Sequence, residues 1–226
     1  MTSKFDDYRR YFIVDGRHVG DYEGMYRHTS DPWRIEELGV RLDMRSALLL
    51  LELCPPRLKR ILDAGAGAGL FTLEAARVLA KNSPGIRMVV SDISPTALDK
   101  ATQRLSGAGL EAEFEYTAFD LRDLDTPGCP WPDSYFEVII LAQVLWSLME
   151  NIDGVFSALA AKLVRGGHLL MSQHFFPPEK QQYAAAIING PSGVEALASK
   201  NGFKLIHTLE TDRGINHHWA ALWTSN

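Results

Sequence analysis

The chain has 226 residues, with 23 Lys and Arg against 28 Asp and Glu, a formal charge of −5. That length suits one domain of good size. Its 46% hydrophobic content excludes global disorder, and its two cysteines, Cys54 and Cys129, exclude a disulfide scaffold or a Cys-rich zinc site. The negative balance argues against a nucleic-acid binder with a large basic surface, the polar start from Met1 to Asp7 has no signal core, and the apolar run Ala47 to Leu51 is too short to span a bilayer, so a soluble cytoplasmic protein is expected.

Residues 1–35 mix aromatics (Tyr8, Tyr11, Phe12, Tyr22, Tyr26, Trp33) with charges and show poor periodicity. Asp31-Pro32-Trp33 reads as the start of a helix, with Asp31 as N-cap and Pro32 in the first turn. Leucines at 38, 42, 49 and 53 suit a helix over 36–53 that Cys54-Pro55-Pro56 ends. Strands are then expected at 60–64, 87–91, 112–117, 135–142 and 167–174, and helices at 71–81, 95–105, 152–164 and 194–201. Ser94-Pro95 opens one helix as N-cap and first residue, and Gly202 closes another. Two last strands, 203–209 and 218–224, flank a short polar turn and must run antiparallel, because a parallel return needs a long crossover. Asp123 to Asp133, rich in Asp and Pro, reads as a surface loop. Strands alternating with helices predict an α/β fold, a mostly parallel sheet with helices on both faces.

The run Ile61-Leu62-Asp63-Ala64-Gly65-Ala66-Gly67-Ala68-Gly69 lies between a predicted strand and a predicted helix. Glycines there allow a tight bend and a close approach to the main chain. Asp92 ends the next strand, 29 residues after Asp63, where a carboxylate can accept from both hydroxyls of a ribose. A P-loop would need Gly-Lys-Ser/Thr, and a dinucleotide turn would need one more residue before the third glycine. A plain tight turn is the bland alternative.

These motifs resemble the class I S-adenosylmethionine-dependent methyltransferases. Leu62 to Gly69 is similar to the family's first motif, whose backbone (Gly65, Ala66, Gly67) would hold the methionine part, with Asp63 supporting the turn. Val89 to Ser94 is similar to the second, implying Asp92 on the ribose and Ile93 against the adenine. Phe119-Asp120-Leu121 is similar to the third, implying that Asp120 accepts from the adenine amino group beside Leu121. Phe136 to Val144 is similar to the fourth, with Gln143 near the methionine end, and Leu163 to Leu169 is similar to the family's L-x-x-G-G turn. The resemblance implies a Rossmann-like seven-stranded sheet of order 3-2-1-4-5-7-6 with strand 7 antiparallel, S-adenosyl-L-methionine as cofactor and S-adenosyl-L-homocysteine as product. It covers residues 36–226, leaving 1–35 as an N-terminal lid segment. Tyr26-Arg27, Asp31 to Arg34, the arginines Arg41 and Arg45, and Gln143 to Trp146 are similar to the small-molecule branch that contains the nodulation-factor N-methyltransferases. Gln143 stands where that branch has Glu, which removes a charge.

Ligands of such sheets bind beyond the carboxyl ends of the strands. His174 ends the fifth strand, and Asn216, His217 and His218 sit at the turn before the last. His174 is therefore the candidate general base or substrate orienter, with His217 or His218 assisting; packed or surface histidines are the alternative. Phe175 to Pro178 would form an apolar wall, and Trp146 would face the reactive methyl. Tyr22, Tyr26 and Trp33 would cover cofactor and acceptor, and Arg45, ahead of Arg41, would meet the cofactor carboxylate. No Asp/Asn/His cluster commits to a metal. The expected partner is a small-molecule acceptor methylated on O or N, without nucleic acid or membrane, in a monomer or homodimer. A protein or RNA methyltransferase and a non-catalytic S-adenosylmethionine-binding module are the alternatives, and an oxidoreductase fails on its glycine spacing.

Overall fold

The N-terminal residues, which carry aromatics at irregular spacing, form short elements: helix α1 (Arg9–Phe12), the strands β1 (Ile13–Val14) and β2 (Arg17–His18) of a small hairpin, and helix α2 (Tyr22–His28). The computed structural model describes residues 9–33, 42–181, 183–212 and 217–226. The expected helix over 36–53 is seen as α3 (Leu42–Leu51), and its first turns lie outside the described residues, as do Arg41 and Asn216.

From there strands and helices alternate. Strand β3 (Arg60–Ala64) leads to α4 (Leu70–Ala80), β4 (Ile86–Asp92) to α5 (Pro95–Ser106), and β5 (Ala112–Ala118) to a 3-10 turn at Leu121–Asp123. Strand β6 (Phe136–Ala142) runs through a second 3-10 turn, Leu145–Asn151, into α6 (Ile152–Lys162). Then come β7 (Leu163–Phe175), α7 (Gly190–Lys200), β8 (Phe203–Asp212) and β9 (His217–Ser225). The sheet order is β5-β4-β3-β6-β7-β9-β8. Counted from β3 this is 3-2-1-4-5-7-6; β9 pairs antiparallel with both β7 and β8, and the other pairings are parallel.

Side chains alternate between faces along each strand. On one face Leu169, Met171, Trp219 and Trp223 pack with Phe156 of α6 and Ala198 of α7. On the other, Leu170, Leu222, Ile61 and Ile140 pack with Met44, Leu50 and Leu51 of α3 and Phe71 and Leu79 of α4. This double cover explains the near-continuous apolar runs. Ser94 caps α5 by accepting from Ala97 N at 3.1 Å, with Pro95 at its first position. At the far edge, β8 is exposed on every residue from 204 to 210, and its register with β9 shifts between Leu205 and His207.

The stretch 123–133 differs from expectation. Leu124 and Trp131 are buried, and the Trp131 ring stands edge-on to Phe119 (5.1 Å) and Phe136 (5.7 Å). Two apolar residues within a polar, proline-bearing run were enough to pin the loop onto the core.

The carboxyl end of β3 carries Asp63, buried with only 1% exposure, and its Oδ2 accepts from Thr72 Oγ1 of α4 at 2.6 Å. Burial pushes its carboxyl up to about 7 against the pull of the Thr72 hydrogen bond, with Asp92 adding to the rise. An acid whose folded pKa is raised binds its proton more tightly in the native state, so stability falls as pH climbs from about 3.8 towards 7. Asp63→Asn keeps the acceptor for Thr72 and removes the titration. Urea unfolding at about pH 4.5 and about pH 7.5 should therefore show wild type losing more stability than Asp63→Asn; equal losses count against this role.

Candidate active site

The chain leaves β3 through a turn set by its glycines. Gly65 N and Ala66 N donate to Ser91 O at 2.8 and 2.9 Å, tying the turn to β4. Gly65 and Gly67 have φ of +78° and +55°. A Cβ on Gly65 would come within 2.6 Å of Val144, and one on Gly67 within 2.5 Å of Tyr26 Oη, so side chains are excluded by conformation and by space. Asp92, at the end of β4, grips the same turn: Oδ2 accepts from Gly67 N at 2.8 Å and Oδ1 from Ser94 N at 2.9 Å. Burial raises the Asp92 carboxyl above its ordinary value, opposed by the Ser94 and Gly67 N–H groups. A carboxylate offers about four acceptor sites, so Asp92 keeps acceptor capacity beyond the Ser94, Gly67 and Ile93 N–H groups.

A cavity of about 890 Å³ opens over the turn. Its wall includes Trp33, Asp63, Gly65, Ala66, Gly67, Asp92, Ile93, Asp120, Leu121, Gln143 and His174, so eleven of the fourteen residues singled out in the sequence converge. Asp120 caps the 3-10 turn at Leu121, and Arg122 clamps it with Nε at 3.0 Å and Nη2 at 2.6 Å. Burial pushes the Asp120 carboxyl up, but the Arg122 hydrogen bonds and charge outweigh it and hold it below the usual value. Arg122 also reaches Glu150 at 3.4 Å. Gln143 holds a left-handed φ of +64° at the end of β6. Its backbone N donates to Ser172 O at 2.8 Å and its Oε1 accepts from His174 N at 3.1 Å, so it ties the ends of β6 and β7 together, while its Nε2 finds no partner among the described residues.

Arg45, expected at the cofactor carboxylate, and His217 and His218, expected to assist His174, do not line the cavity. Arg45 is exposed on α3, where its neighbour Met44 takes the inward position. His217 lies on the α6–α7 face of β9, its Nε2 3.0 Å from Glu210 Oε2. His218, one residue on, turns to the opposite face and meets the His174 ring at 5.1 Å. The Phe175–Pro178 wall is split in the same way: Phe176 lines the cavity, whereas Phe175 is core, edge-on to Trp146 at 5.6 Å. Trp146 lines the cavity and donates from Nε1 to His174 O at 3.3 Å.

The N-terminal segment roofs this space. Glu23 of α2 sits at the N-terminus of α5, accepting from Ser94 Oγ (2.6 Å), Thr96 Oγ1 (2.7 Å) and Thr96 N (3.2 Å). These bonds, Ser94 foremost, bring its carboxyl down to about 2, so its hold on α5 lasts until pH falls well below 4.5. Lys100 of α5 donates to Tyr26 O at 2.6 Å and Thr29 O at 2.9 Å. Tyr26 is buried over the glycine turn, its Oη accepting from Trp33 Nε1 at 3.2 Å. Sequence reasoning missed Glu23, Lys100, Arg122, His18, Ser147 and Tyr183, because each gains its place only through a partner distant in the chain. Among the described residues, no group of three or more His, Cys, Asp or Glu could hold a metal ion, and no helix is long and apolar enough to cross a membrane.

Comparison with known proteins agrees with this geometry. A family described as a methyltransferase domain matches residues 62–169. Ribosomal RNA small subunit methyltransferase C of Shigella flexneri serotype 5b (strain 8401) is 38% identical over 175 residues, 75% of this chain and 46% of the relative. Ubiquinone/menaquinone biosynthesis C-methyltransferase UbiE of Stutzerimonas stutzeri (strain A1501) is 29% identical over 127 residues, 56% of this chain and 46% of the relative. The chain thus spans about half the length of these two curated relatives. The N-methyltransferase NodS from Bradyrhizobium japonicum WM9, solved in complex with S-adenosyl-L-homocysteine, shares the fold with a TM-score of 0.69 at 19% identity, over 90% of this chain and 98% of that one. Glycine turn, acidic strand end and sheet order coincide with the segment 62–169 that matches a methyltransferase domain, and the chain has the fold of the S-adenosylmethionine-dependent methyltransferases.

Proposed function

We propose that this chain transfers a methyl group from S-adenosyl-L-methionine to an O or N atom of a small molecule, such as a sugar or specialised metabolite, in the cytoplasm. In this reading residues 1–35 are a lid on a methyltransferase domain spanning 36–226, working as a monomer or homodimer. One observation carries it: a single cavity over Gly65–Gly67 is lined by Asp92 and Asp120 together with Tyr22, Tyr26 and Trp33 of the N-terminal segment. The cradle fits the cofactor, because side chains are excluded at Gly65 and Gly67 and Asp92 keeps acceptor capacity there.

When bound, S-adenosyl-L-methionine supplies a methyl already activated on a sulfonium. The protein has only to hold, align and dry the site. Asp92 would accept from the ribose hydroxyls, Asp120 from the adenine amino group, and Ile93 and Leu121 would flank the base. Gln143 would hold the strand ends beside the methionine part, and His174 would orient the acceptor. Tyr26 and Trp33 would exclude water. A second reading, methylation of RNA, is favoured by the ribosomal RNA methyltransferases among the relatives. The charge of −5 weighs against it.

Calorimetry with S-adenosyl-L-homocysteine tests the reading. Wild type should bind, and Asp92→Asn should weaken binding by about 10- to 100-fold, the scale of a lost charged hydrogen-bond pair; full affinity in the variant removes Asp92 from the ribose. Limited proteolysis should cut residues 9–33 more slowly with S-adenosyl-L-homocysteine than without it, and faster in Glu23→Gln; equal rates in all three count against a lid. Label transfer from tritiated cofactor to metabolite pools and to RNA separates the two acceptors. His174→Ala should lower turnover at neutral pH about 10-fold or more, and full turnover would remove that residue.

A further inference from the structure

Part of the cavity wall is a hydrogen-bonded chain. His18 Nε2 lies 2.9 Å from Tyr22 Oη, and Tyr22 Oη lies 2.5 Å from Ser147 Oγ. All three residues line the cavity. Ser147 belongs to the 3-10 turn that follows Gln143, its N donating to Val144 O at 2.9 Å, so the chain ends beside the strand end that faces the cofactor cradle. The other two members come from the N-terminal segment, Tyr22 lying 125 residues away from Ser147 in sequence. We propose that Tyr22 and His18 are the proton-accepting pair for a hydroxyl-bearing acceptor, with Ser147 fixing the tyrosine. This rests on the methyl-transfer reading above and narrows its acceptor to an alcohol or phenol.

The hydrogen-bond inventory permits it. The Tyr22 hydroxyl donates to Ser147 Oγ; rotated towards His18 Nε2, the same O–H donates to the imidazole, and Oη then accepts from Ser147 Oγ–H and from the acceptor hydroxyl. As the acceptor oxygen bonds the methyl carbon, its proton moves to Tyr22 Oη and the tyrosine's own proton moves to His18 Nε2. The C–S electron pair stays with sulfur, which becomes a neutral thioether, and His18 leaves as imidazolium, so one positive charge stands on each side of the step. Burial raises the Tyr22 phenol, which keeps it a relay and not a resident anion. Burial lowers His18, with Glu150 opposing and Arg122 reinforcing the shift, which keeps the imidazole neutral and able to accept. The remaining groups around the ring are Phe12, edge-on at 5.8 Å, and Tyr183 at 5.7 Å. A neutral amine would need no such pair; a hydroxyl does.

The test has two readouts. In the chain without cofactor, imidazole NMR should show His18 titrating below 6.5, with its titration moved in Tyr22→Phe; an unmoved titration shows that the two are not coupled. With tritiated cofactor, catechol and methyl glucoside serve as hydroxyl probes and benzylamine as the amine probe. Label should reach a hydroxyl probe, kcat should fall about 100-fold in Tyr22→Phe and His18→Asn, and S-adenosyl-L-homocysteine affinity should hold within about twofold. Wild-type kcat should rise with pH through the His18 titration, and His18→Asn should lose that limb. Label on benzylamine alone, no label on either hydroxyl probe while S-adenosyl-L-homocysteine binds, or an unchanged pH limb in His18→Asn would overturn the pair. Failure of wild type to bind S-adenosyl-L-homocysteine would instead strike the methyl-transfer reading itself.

Discussion

The contact between Asp92 and the backbone N–H of Gly67 joins the ends of two neighbouring strands into one surface. Parallel pairing of β3 and β4 brings Ala64 level with Ser91, so the turn after β3 and the acid ending β4 must meet. The carboxylate is buried, which is costly unless its oxygens are satisfied, and the turn supplies N–H groups that would otherwise lack partners. The glycines make the exchange possible, because side chains at Gly65 or Gly67 would strike Val144 or Tyr26. Asp63 is bonded to Thr72 of the following helix, so two acids with different partners, one bound to a side chain and one to the turn's backbone, sit on adjacent strands in the cavity wall.

The roof depends on a second acid. Glu23 occupies the N-terminus of α5, where backbone N–H groups and the helix dipole favour a negative charge. Ser94 donates its N–H to Asp92 and its hydroxyl to Glu23, so floor and roof are held through one residue. Lys100, further along α5, anchors the carboxyl end of α2, and two ends of a short helix are thereby fixed to one long helix. A seven-residue helix is marginal alone; docking gives it a defined place.

What the sequence discloses follows the range of each interaction. The strand-helix alternation, the antiparallel last pair and the caps Ser94 and Gly202 are local and were legible. The glycine turn, Asp92 and Asp120 were legible because their types and spacing are demanded by one geometry. For His217 and His218 topology gives only a place at the sheet end; the pleat decides which face each takes, and neither lines the cavity. His18 and Ser147 carried no signal, because a hairpin histidine and a turn serine mean little until Tyr22 brings them together. Trp131 was hidden by its polar neighbours, whose composition described the loop and not its anchor.

The two borders of the sheet meet the hazard of self-association by different means. Strand β5 presents Glu113 and Glu115 on its exposed side, and like charges repel a second copy. Strand β8 exposes Leu205, Ile206 and Leu209 between the charged Lys204 and Glu210. Its bulge at Ile206 supplies the defence: Leu205 stands opposite Trp223 and Leu209 opposite Ala220, so the two leucines emerge on opposite sides. No continuous oily ribbon runs along that rim, and a neighbouring chain laid against it could not match side chains on either side of the kink. Straightening the strand with every residue kept would put Leu205 and Leu209, four positions apart, on one side and create such a ribbon, and with it a template for fibre growth.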